Sequence, residues 1–343
     1  MNIEILNDSQ LAQLDQLIAS ADTILITCHK SPDGDAIGSC LGWAEYLRSR
    51  EKEAIVIVPD QYPDFLQWMP NTEKIIRYDK HTEKCDMLFK IADLVFCLDF
   101  NTPSRVNEME AALVSSPAPK VLIDHHLDPE DAFDLSISFP EASSTCELVF
   151  RVIMQMGLLR LMDRYAASCL YVGLLTDTGG FAYSCDNPEF YEILASITRR
   201  HIDRINLYNK AMNTFSADSL RLQGFAISEK MQLFPDQGAS LITLDKDELE
   251  RFNYNRGDTE TLVNKPLAIP GIYWSVFLRE DADRIKVSCR SQGSFSVSDI
   301  CARYFNGGGH ENAAGGEFFG TIDETVQVFH QVLADLFPNQ HQE

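Results

Sequence analysis

The chain has few basic residues for its size: 29 lysines and arginines stand against 51 aspartates and glutamates, so the formal net charge is −22. Proteins that grip long duplex nucleic acid usually carry a basic stripe, because phosphate contacts supply most of their affinity. No basic run of that kind occurs in the sequence. The charge balance therefore argues against a binder of long duplex nucleic acid and leaves short nucleotide substrates open.

The sequence also lacks a long hydrophobic run, a signal peptide and any Cys-x-x-Cys pair. A transmembrane helix needs about 20 consecutive apolar residues, and no run approaches that length. The first ten residues, MNIEILNDSQ, are acidic and polar, unlike a signal peptide. Nine scattered cysteines without metal-binding spacing are typical of reduced, buried thiols. We therefore expect a cytoplasmic protein that has no membrane partner.

Length and hydrophobic patterning predict two domains, since 343 residues exceed what one core usually supports. In the first half, short apolar runs alternate with helical patterns, which predicts an α/β domain with a parallel sheet covered on both faces. The predicted strands there are residues 23–28, 54–58, 94–98 and 120–123. The last third predicts a smaller α+β domain with a mixed sheet. The expected limits are 1–195 for the first domain, 196–230 for a helical linker and 231–340 for the second domain.

Histidines and aspartates follow the ends of these predicted strands and of one apolar helix. They are His29, Asp33 and Asp35 in HKSPDGDAIGS, Asp99, Asp124, His125 and His126 in IDHH, and Asp177 in LLTDTGGF. Because open α/β sheets bind ligands at the carboxyl ends of their strands, we expect the four segments to converge on one crevice. Neighbouring carboxylates repel unless cations are bound, and mixed His and Asp ligands suit Mn²⁺, Fe or Zn²⁺ better than Ca²⁺.

An alternative interpretation of the first segment alone is a capped helix start, with Asp33 and Asp35 as N-terminal acids and His29 as a surface loop residue. The triplet at residues 124–126 weighs against it, because two adjacent histidines after an aspartate rarely serve packing. The sequence therefore favours a divalent metal site.

In order and spacing, these four segments resemble the motifs of the DHH phosphoesterase family, over residues 7 to about 191. The resemblance implies two divalent metal ions, most often Mn²⁺. It assigns His29, Asp33 and Asp99 to one metal, and Asp35, Asp99, His125 and Asp177 to the other, with Asp99 bridging. It also implies that His126 faces the substrate phosphate and that Asp124 orients the histidines.

A glycine-rich string, NGGGHENAAGG at residues 306–316, predicts either an anion-binding backbone or a flexible hairpin. It resembles the DHH-associated C-terminal domain, which closes over the catalytic site, so the active site is expected in the interdomain cleft. The predicted substrate-binding residues are Gly308, Gly309, His310 and Asn312, together with Arg290 and Ser291 at a strand end. Arg105 is a further candidate, either as a substrate clamp or as a structural ion-pair partner.

Length and domain content together resemble the NrnA-type branch of the family. These enzymes are oligoribonucleases (nanoRNases) that hydrolyse short RNA to mononucleotides and also convert 3′-phosphoadenosine 5′-phosphate (pAp) to AMP. The expected substrates are therefore pAp and RNA of two to five nucleotides, attacked by a hydroxide that bridges two metals. A homodimer is a further prediction. The alternatives are a soluble phosphodiesterase for pApA or cyclic di-AMP, and a non-catalytic nucleotide-binding protein, which the full set of ligands disfavours.

Overall fold

The structure, a computed structural model, describes residues 4–338. The chain divides into two compact units, of which the first ends at Thr214 and the second begins at Phe215. The segment expected to be a helical linker, residues 196–230, holds helices that belong to both units. The expected domain limits stay a prediction, and they include residues 1–3, 339 and 340, which lie outside the described residues.

The first unit is built on a six-stranded parallel sheet with the order β3-β2-β1-β4-β5-β6. Its strands are β1 (Thr23–Thr27), β2 (Glu53–Val58), β3 (Ile76–Arg77), β4 (Leu94–Leu98), β5 (Lys120–Asp124) and β6 (Leu135–Ser138). Alternate residues of the central strands enter two separate cores, for example Ile24 and Phe96 on one face and Leu25 and Val95 on the other. Both faces are therefore covered, which confirms the predicted parallel α/β domain and explains its continuous apolar runs.

Helices flank this sheet and carry several of the predicted site residues at their ends. Their bounds are α1 (Asp8–Ser20), α2 (Gly34–Ser49), α3 (Thr82–Ile91), α4 (Glu110–Ser115), α5 (Thr145–Gln155), α6 (Arg164–Asp177), α7 (Pro188–Thr198) and α8 (Arg204–Met212). Asp33 lies just before α2, and Asp177 is the last residue of α6.

Helices α2 and α6 approach closely because glycines line their contact. A Cβ atom on Gly38 would lie 2.7 Å from the carbonyl oxygen of Cys169, and one on Gly173 would lie 2.9 Å from Oδ1 of Asp35. Side chains larger than hydrogen have no room there, since carbon atoms pack at about 3.5–4.0 Å. This contact brings Asp35 on α2 to Asp177 on α6.

The second unit has a six-stranded mixed sheet with the order β11-β12-β10-β9-β8-β7, in which only the β8–β9 pair is parallel among the described residues. Its elements are α9 (Ala217–Phe225), β7 (Gln232–Phe234), β8 (Ala239–Leu244), α10 (Lys246–Arg251), β9 (Trp274–Glu280), β10 (Ile285–Ser291), α11 (Val297–Tyr304), β11 (Gly308–His310), β12 (Ala313–Phe318) and α12 (Ile322–Leu336). The predicted α+β domain with a mixed sheet is confirmed.

Odd-numbered residues of β10, such as Val287 and Cys289, pack with Trp274 and Phe329 into a core that α11 and α12 cover. The even-numbered residues of β10 lie on the opposite face of the sheet. The glycine-rich string forms the β11–β12 hairpin. Within the described residues, no helix combines the length and apolarity needed to span a membrane. All nine cysteines are buried and unbridged.

Candidate metal centre

Asp33 serves two purposes at the turn between β1 and α2. Its Oδ1 atom accepts hydrogen bonds from the backbone N–H groups of Asp35 and Ala36, both at 3.0 Å, and so caps α2. Its Oδ2 atom lies 3.8 Å from Nε2 of His29. The helix cap of the alternative interpretation is therefore real, but His29 is only 7% exposed and is not a surface residue.

Asp99 follows β4 in a left-handed backbone conformation, with φ of 64°. Residues other than glycine adopt this region uncommonly, so the local backbone is held by its surroundings. The Asp99 N–H donates to the carbonyl oxygen of Ile123 at 3.1 Å. Its carboxylate then reaches His29 Nε2 at 3.4 Å with one oxygen and His125 Nε2 at 3.6 Å with the other. Asp99 thus lies between the two histidines.

The histidine rings are oriented by contacts at Nδ1. Nδ1 of His29 lies 2.7 Å from the carbonyl oxygen of Lys30, and Nδ1 of His125 lies 3.3 Å from that of Ala142. Since a carbonyl can only accept, these contacts place a proton on Nδ1 and direct Nε2 toward the carboxylates. Nδ1 of His126 lies 2.7 Å from Oδ1 of Asp124, which leaves its Nε2 directed away from that carboxylate.

The ligating atoms fall into compact groups. Those of His29, Asp33 and Asp99 lie within 4.8 Å of one another, and so do those of Asp35, His125 and Asp177. A third group joins Asp99, Asp124 and His126. The structure therefore brings together all eight residues that the sequence singled out in the first unit, although the residues come from both strand ends and helix ends.

The start of α5 supplies donors that sequence reasoning missed. The backbone N–H groups of Thr145 and Cys146 donate to the two carboxylate oxygens of Asp35 at 2.6 and 2.9 Å, and the Thr145 hydroxyl donates to Asp99 at 3.0 Å. Each carboxylate oxygen has a second lone pair, so these bonds orient Asp35 and still leave it able to bind a metal. The signal available in the sequence was the helix-start pattern from Ser144 to Glu147. In the structure, the Glu147 N–H donates to the Ser144 hydroxyl oxygen at 3.1 Å.

Charge interactions show that the cluster suits a cation. Burial raises the pKa of Asp35 above its ordinary value, and the charges of Asp99 and Asp177 raise it further. Burial also acts to raise the pKa of Asp99, but the hydrogen bond and charge of His29 and the charges of His126 and His125 hold it well below its usual range. Three carboxylates share this space, so divalent cations would relieve their repulsion, and the mixed N and O donors fit such ions.

His29 responds to the same carboxylates. Burial acts to lower its pKa, yet the hydrogen bond to Asp99 and the charges of Asp33 and Asp99 raise the pKa to about 9. The charge of Arg105 opposes this rise, which places its guanidinium within electrostatic range of His29. The backbone carbonyl of Arg105 accepts a hydrogen bond from the Lys30 N–H at 2.7 Å. Whether Arg105 clamps a substrate stays a prediction.

The predicted substrate residues of the second unit lie on and around β10 and the β11–β12 hairpin. Arg290 and His310 are both register partners of Ala313, one on each side, so they share a face of the sheet. Asn312 instead stabilises the loop after β10. Its amide donates to the Ser291 hydroxyl oxygen at 2.8 Å and to the carbonyl oxygen of Gly293 at 2.9 Å.

The Ser291 hydroxyl in turn donates to the carbonyl oxygen of Phe295 at 2.5 Å. Ser291 and Asn312 therefore have a structural task in the loop after β10. Gly308 is exposed, and Gly309 has a positive φ of 145°. Substrate binding by these residues and by Arg290 and His310 stays a prediction.

Comparisons with known proteins agree with this architecture. The family profile described as "DHH family, N-terminal domain" matches residues 23–174, and that of the DHHA1 domain matches residues 240–335. The chain is 30% identical to the bifunctional oligoribonuclease and PAP phosphatase NrnA of Thermus thermophilus, over 90% of this chain and 88% of that one. It is 27% identical to a probable enzyme of the same name from Streptococcus mutans, over 92% and 95% of the two chains.

Among solved structures, an exopolyphosphatase-related protein from Bacteroides fragilis is 45% identical, covers 98% of both chains and has a TM-score of 0.93. The cyclic-di-AMP phosphodiesterase GdpP of Geobacillus thermodenitrificans is 25% identical over 94% of this chain, which spans 49% of that protein.

The parallel sheet with its His and Asp cluster, joined to a mixed-sheet unit, defines a hydrolase of phosphoester bonds. The chain belongs to the DHH phosphoesterase family and combines a DHH domain with a DHHA1 domain.

Proposed function

We propose that the protein hydrolyses short oligoribonucleotides to mononucleotides and pAp to AMP, with two divalent metal ions, Mn²⁺ foremost. The observation that carries this proposal is the pair of ligand groups that meet at Asp99 in the first unit. The similarity to oligoribonuclease and PAP phosphatase enzymes over nearly the whole length of both chains supports the choice of substrates. The net charge of −22 suits short substrates better than long nucleic acid.

His29, Asp33 and Asp99 would hold one metal, and Asp35, Asp99, His125 and Asp177 would hold the other. Bound there, divalent cations would neutralise charge on the phosphoryl oxygens and lower the pKa of water toward ~7. Thr145 and Cys146 keep the Asp35 carboxylate in place, and the Thr145 hydroxyl does the same for Asp99. Because these donors come from the first turn of α5, the positive end of the helix dipole adds to their effect.

His126 is the proposed contact to the phosphate that reacts. Asp124 accepts from its Nδ1 atom at 2.7 Å and so orients the ring with Nε2 directed away from that carboxylate, toward the proposed position of the phosphoryl oxygen. Asp124 is fully buried, and its second carboxylate oxygen has no hydrogen-bond partner among the described residues. We assign Asp124 the role of orienting His126.

In the second unit, Arg290 and the hairpin around His310 are proposed to bind the end of the substrate that does not react. A guanidinium and an imidazole on one face of a sheet offer several N–H donors for a terminal phosphate. pAp and short RNA with a phosphorylated end both present such a phosphate. The cytoplasmic location and the homodimer stay predictions.

A phosphodiesterase for pApA or cyclic di-AMP is the second candidate, and the similarity to GdpP favours it. The same metal centre would serve that reaction. The length agreement is much better with the NrnA enzymes, which this chain matches over 88% and 95% of their length, against 49% for GdpP. We therefore rank it second.

The test is a Mn²⁺-supplemented assay of the full chain on pAp, on RNA of two to five nucleotides, and on pApA and cyclic di-AMP. Asp99→Asn should lower kcat by about 10³-fold or more on every hydrolysed substrate, because it removes the charge shared by both ligand groups. Asparagine tolerates the left-handed backbone of Asp99, so the fold should survive.

Asp15→Asn is the matched control, because Asp15 is an exposed aspartate whose carboxylate pairs with Arg50 at 2.9 Å. It should leave kcat unchanged, since surface ion pairs contribute little. Full activity of Asp99→Asn, or of wild type after chelation of metals, would contradict the proposed metal centre. Turnover of cyclic di-AMP with none of pAp or RNA would replace the first candidate by the second.

A further inference from the structure

The carbonyl that orients His29 belongs to a peptide group that is held at both ends. Its oxygen, on Lys30, lies 2.7 Å from Nδ1 of His29. The other half of the same peptide group is the N–H of Ser31, which donates to Oδ1 of Asp60 at 2.8 Å. Because a peptide group is planar and rigid, a contact that fixes its N–H also fixes the direction of its C=O. Asp60 is thus connected to the His29 ring through one peptide group.

The peptide group behind His125 is held in the same way. Its carbonyl oxygen, on Ala142, lies 3.3 Å from Nδ1 of His125. Its N–H, on Ser143, donates to Oε2 of Glu147 at 3.0 Å, and the Ser143 hydroxyl donates to that oxygen at 2.6 Å. The two histidines proposed to bind metals therefore have the same series of contacts behind them: the ring, a carbonyl, the N–H of the same peptide group and a carboxylate.

Neither arrangement is the one that local chain preferences favour. Ser31 has a left-handed backbone, with φ of 56°, which residues other than glycine adopt uncommonly. In a capping box, the glutamate three positions after the N-cap bonds the N-cap N–H. Glu147 has that position after the N-cap Ser144, yet its carboxylate bonds Ser143 instead. Backbone held against its local preference clusters at functional sites.

Stability alone does not explain the carboxylate of Glu147. The side chain is 0% exposed, and its Oε1 atom accepts a hydrogen bond from Nε of Arg151 at 2.8 Å and lies 2.6 Å from a second guanidinium nitrogen. Removing both charges from water costs about as much free energy as their attraction supplies. Asp60 is only half-buried, so the feature that the two acids share is the peptide N–H rather than burial.

A carboxylate acts on each histidine by polarising the peptide group between them. Hydrogen bonds in a chain strengthen one another, and an ionised acceptor makes the stronger bond. More negative charge on the carbonyl oxygens of Lys30 and Ala142 holds the Nδ1–H groups more firmly. This fixes the orientation of both rings and makes Nε2 the better metal ligand. Nε2 of His29 lies 3.4 Å from a carboxylate oxygen of Asp99, and Nε2 of His125 lies 3.6 Å from the other.

We propose that Asp60 and Glu147 are positioning residues for the two metal ions, Asp60 through His29 and Glu147 through His125. This inference rests on the proposed function, because it requires that both histidines bind a metal. It assigns one acid to each metal. Loss of Asp60 weakens the metal held by His29, and loss of Glu147 weakens the metal held by His125, although neither carboxylate is itself a proposed ligand.

Calorimetric titration of the full chain with Mn²⁺, in the absence of substrate, measures the two affinities separately. Asp177→Asn identifies the binding step of the His125 group, because among the described residues Asp177 belongs to that ligand group alone. Asp60→Ala removes the acceptor of the Ser31 N–H and should weaken the other step, that of the His29 group, by about 10–100-fold.

Glu147→Gln should weaken the step of the His125 group by about 10–100-fold and leave the other step unchanged. The guanidinium of Arg151 can only donate, so it attracts the amide oxygen of the new side chain. The amide NH2 group then faces Ser143 and cannot accept from its N–H. In both variants, the Mn²⁺ concentration for half-maximal hydrolysis of pAp should rise with little change in KM for pAp, which a general loss of structure would not produce.

Arg151→Gln and Asp64→Ala are the matched controls. Arg151→Gln breaks the same buried ion pair but leaves the Ser143 N–H bonded to Glu147, so it should lower the Tm and leave both Mn²⁺ affinities unchanged. Asp64 lies four residues after Asp60, and its carboxylate accepts hydrogen bonds from two glutamine side chains. Its replacement should change neither affinity.

A double variant covers the case in which Glu147→Gln does not fold. Glu147→Leu combined with Arg151→Leu replaces the buried ion pair by apolar side chains, which is often neutral for stability. It should bind the metal of the His125 group as weakly as described for Glu147→Gln, and wild-type affinity at that step would overturn the inference.

The inference is also overturned if Glu147→Gln and Arg151→Gln weaken the same step equally, or if Asp60→Ala leaves the step of the His29 group unchanged. Equal weakening of both steps by each variant would overturn it too. A wild-type protein that binds no Mn²⁺ would refute the proposed metal centre itself, an outcome that differs from two-step binding by the wild type with indifferent variants.

Discussion

In the first unit, Gly38 and Gly173 sit where two helices touch and where a Cβ atom would collide with a neighbour, whereas Gly308 and Gly315 in the second unit border open space. The first pair allows α2 and α6 to approach until Asp35 and Asp177 belong to one ligand group. The second pair leaves a strip of sheet uncovered. Glycine thus closes one region against solvent and keeps the other accessible.

The charged groups of the two units also differ in how strongly their surroundings hold them. Asp35 and Asp99 are at most 2% exposed and receive donors from Thr145 and Cys146, so their geometry is set before any ligand arrives. In the second unit, by contrast, burial lowers the pKa of Lys286, and Gly308 borders open space. Chemistry on a phosphoester gains from donors and charges held in place away from water. The comparison teaches that one chain combines a buried cluster of fixed geometry in the first unit with an open row of strand residues in the second.

The largest effect is expected where glycine closes the contact of α2 and α6. Gly173→Ala should lower the free energy of unfolding by about 1–3 kcal/mol. It should also lower kcat by about 100-fold, because the added methyl would lie 2.9 Å from an Asp35 oxygen and displace that ligand. Urea unfolding and the Mn²⁺-supplemented assay measure the two effects.

Gly224→Ala on α9 is the control for this change, since a Cβ atom there would meet nothing within 4 Å. It should raise stability by up to about 1 kcal/mol, because glycine weakens helix interiors. Equal changes in the free energy of unfolding of the two variants would contradict the distinction between a glycine whose Cβ would collide with neighbours and one whose Cβ would meet none.

A smaller effect is expected from the hydroxyl that orients Asp99. Thr145→Val removes the donor at 3.0 Å but keeps the backbone N–H that donates to Asp35. Mn²⁺ affinity, measured by calorimetric titration, should fall by about 10–100-fold, as for other groups that orient metal ligands. Thr145→Ser keeps the hydroxyl and should restore affinity, whereas weak binding by both variants would mean that side-chain packing rather than the hydrogen bond matters.

The smallest effect is expected in the open strip. Gly308→Ala should leave the free energy of unfolding unchanged or raise it by up to about 1 kcal/mol, since alanine costs less conformational entropy than glycine. Gly309→Ala, one residue away, should lower it by about 1–3 kcal/mol because of its positive φ and the nearby Ala313 carbonyl. Thermal unfolding of both variants measures the difference, and equal losses of stability would show that the strip is part of the packing.

Much of the fold could be predicted because its signals are local. The runs at residues 94–98 and 120–123 are apolar without alternation, which indicates strands buried on both faces, and the structure has them as β4 and β5. The two-residue strand β3 was not predicted, since Ile76 and Arg77 pair only as an edge of an existing sheet. The β11–β12 hairpin was foreseen as a glycine-rich segment, but the strand propensity of such residues is low, so its pairing depends on β10.

Part of the candidate centre escaped sequence reasoning for a physical reason. Thr145 and Cys146 act on Asp35 mostly through backbone N–H groups, which every residue other than proline carries. Their residue types therefore give no sign in the sequence that these residues hold Asp35. Likewise Asn312 resembles a ligand-binding residue in the sequence, yet its amide donors are used within the loop after β10.

By itself, the sequence determined the shortage of basic residues, the covered parallel sheet and the placement of histidines and aspartates after strand ends, because composition and periodicity are properties of the chain alone. The tertiary structure alone decided how those side chains meet: Asp99 lies between His29 and His125, and Asp35 lies at the start of α5. It also decided that Gly315 lies in the row between those of Arg290 and Lys286. Distances between residues far apart in the chain depend on how helices and strands pack, and the glycines that set that packing act through contacts with distant neighbours.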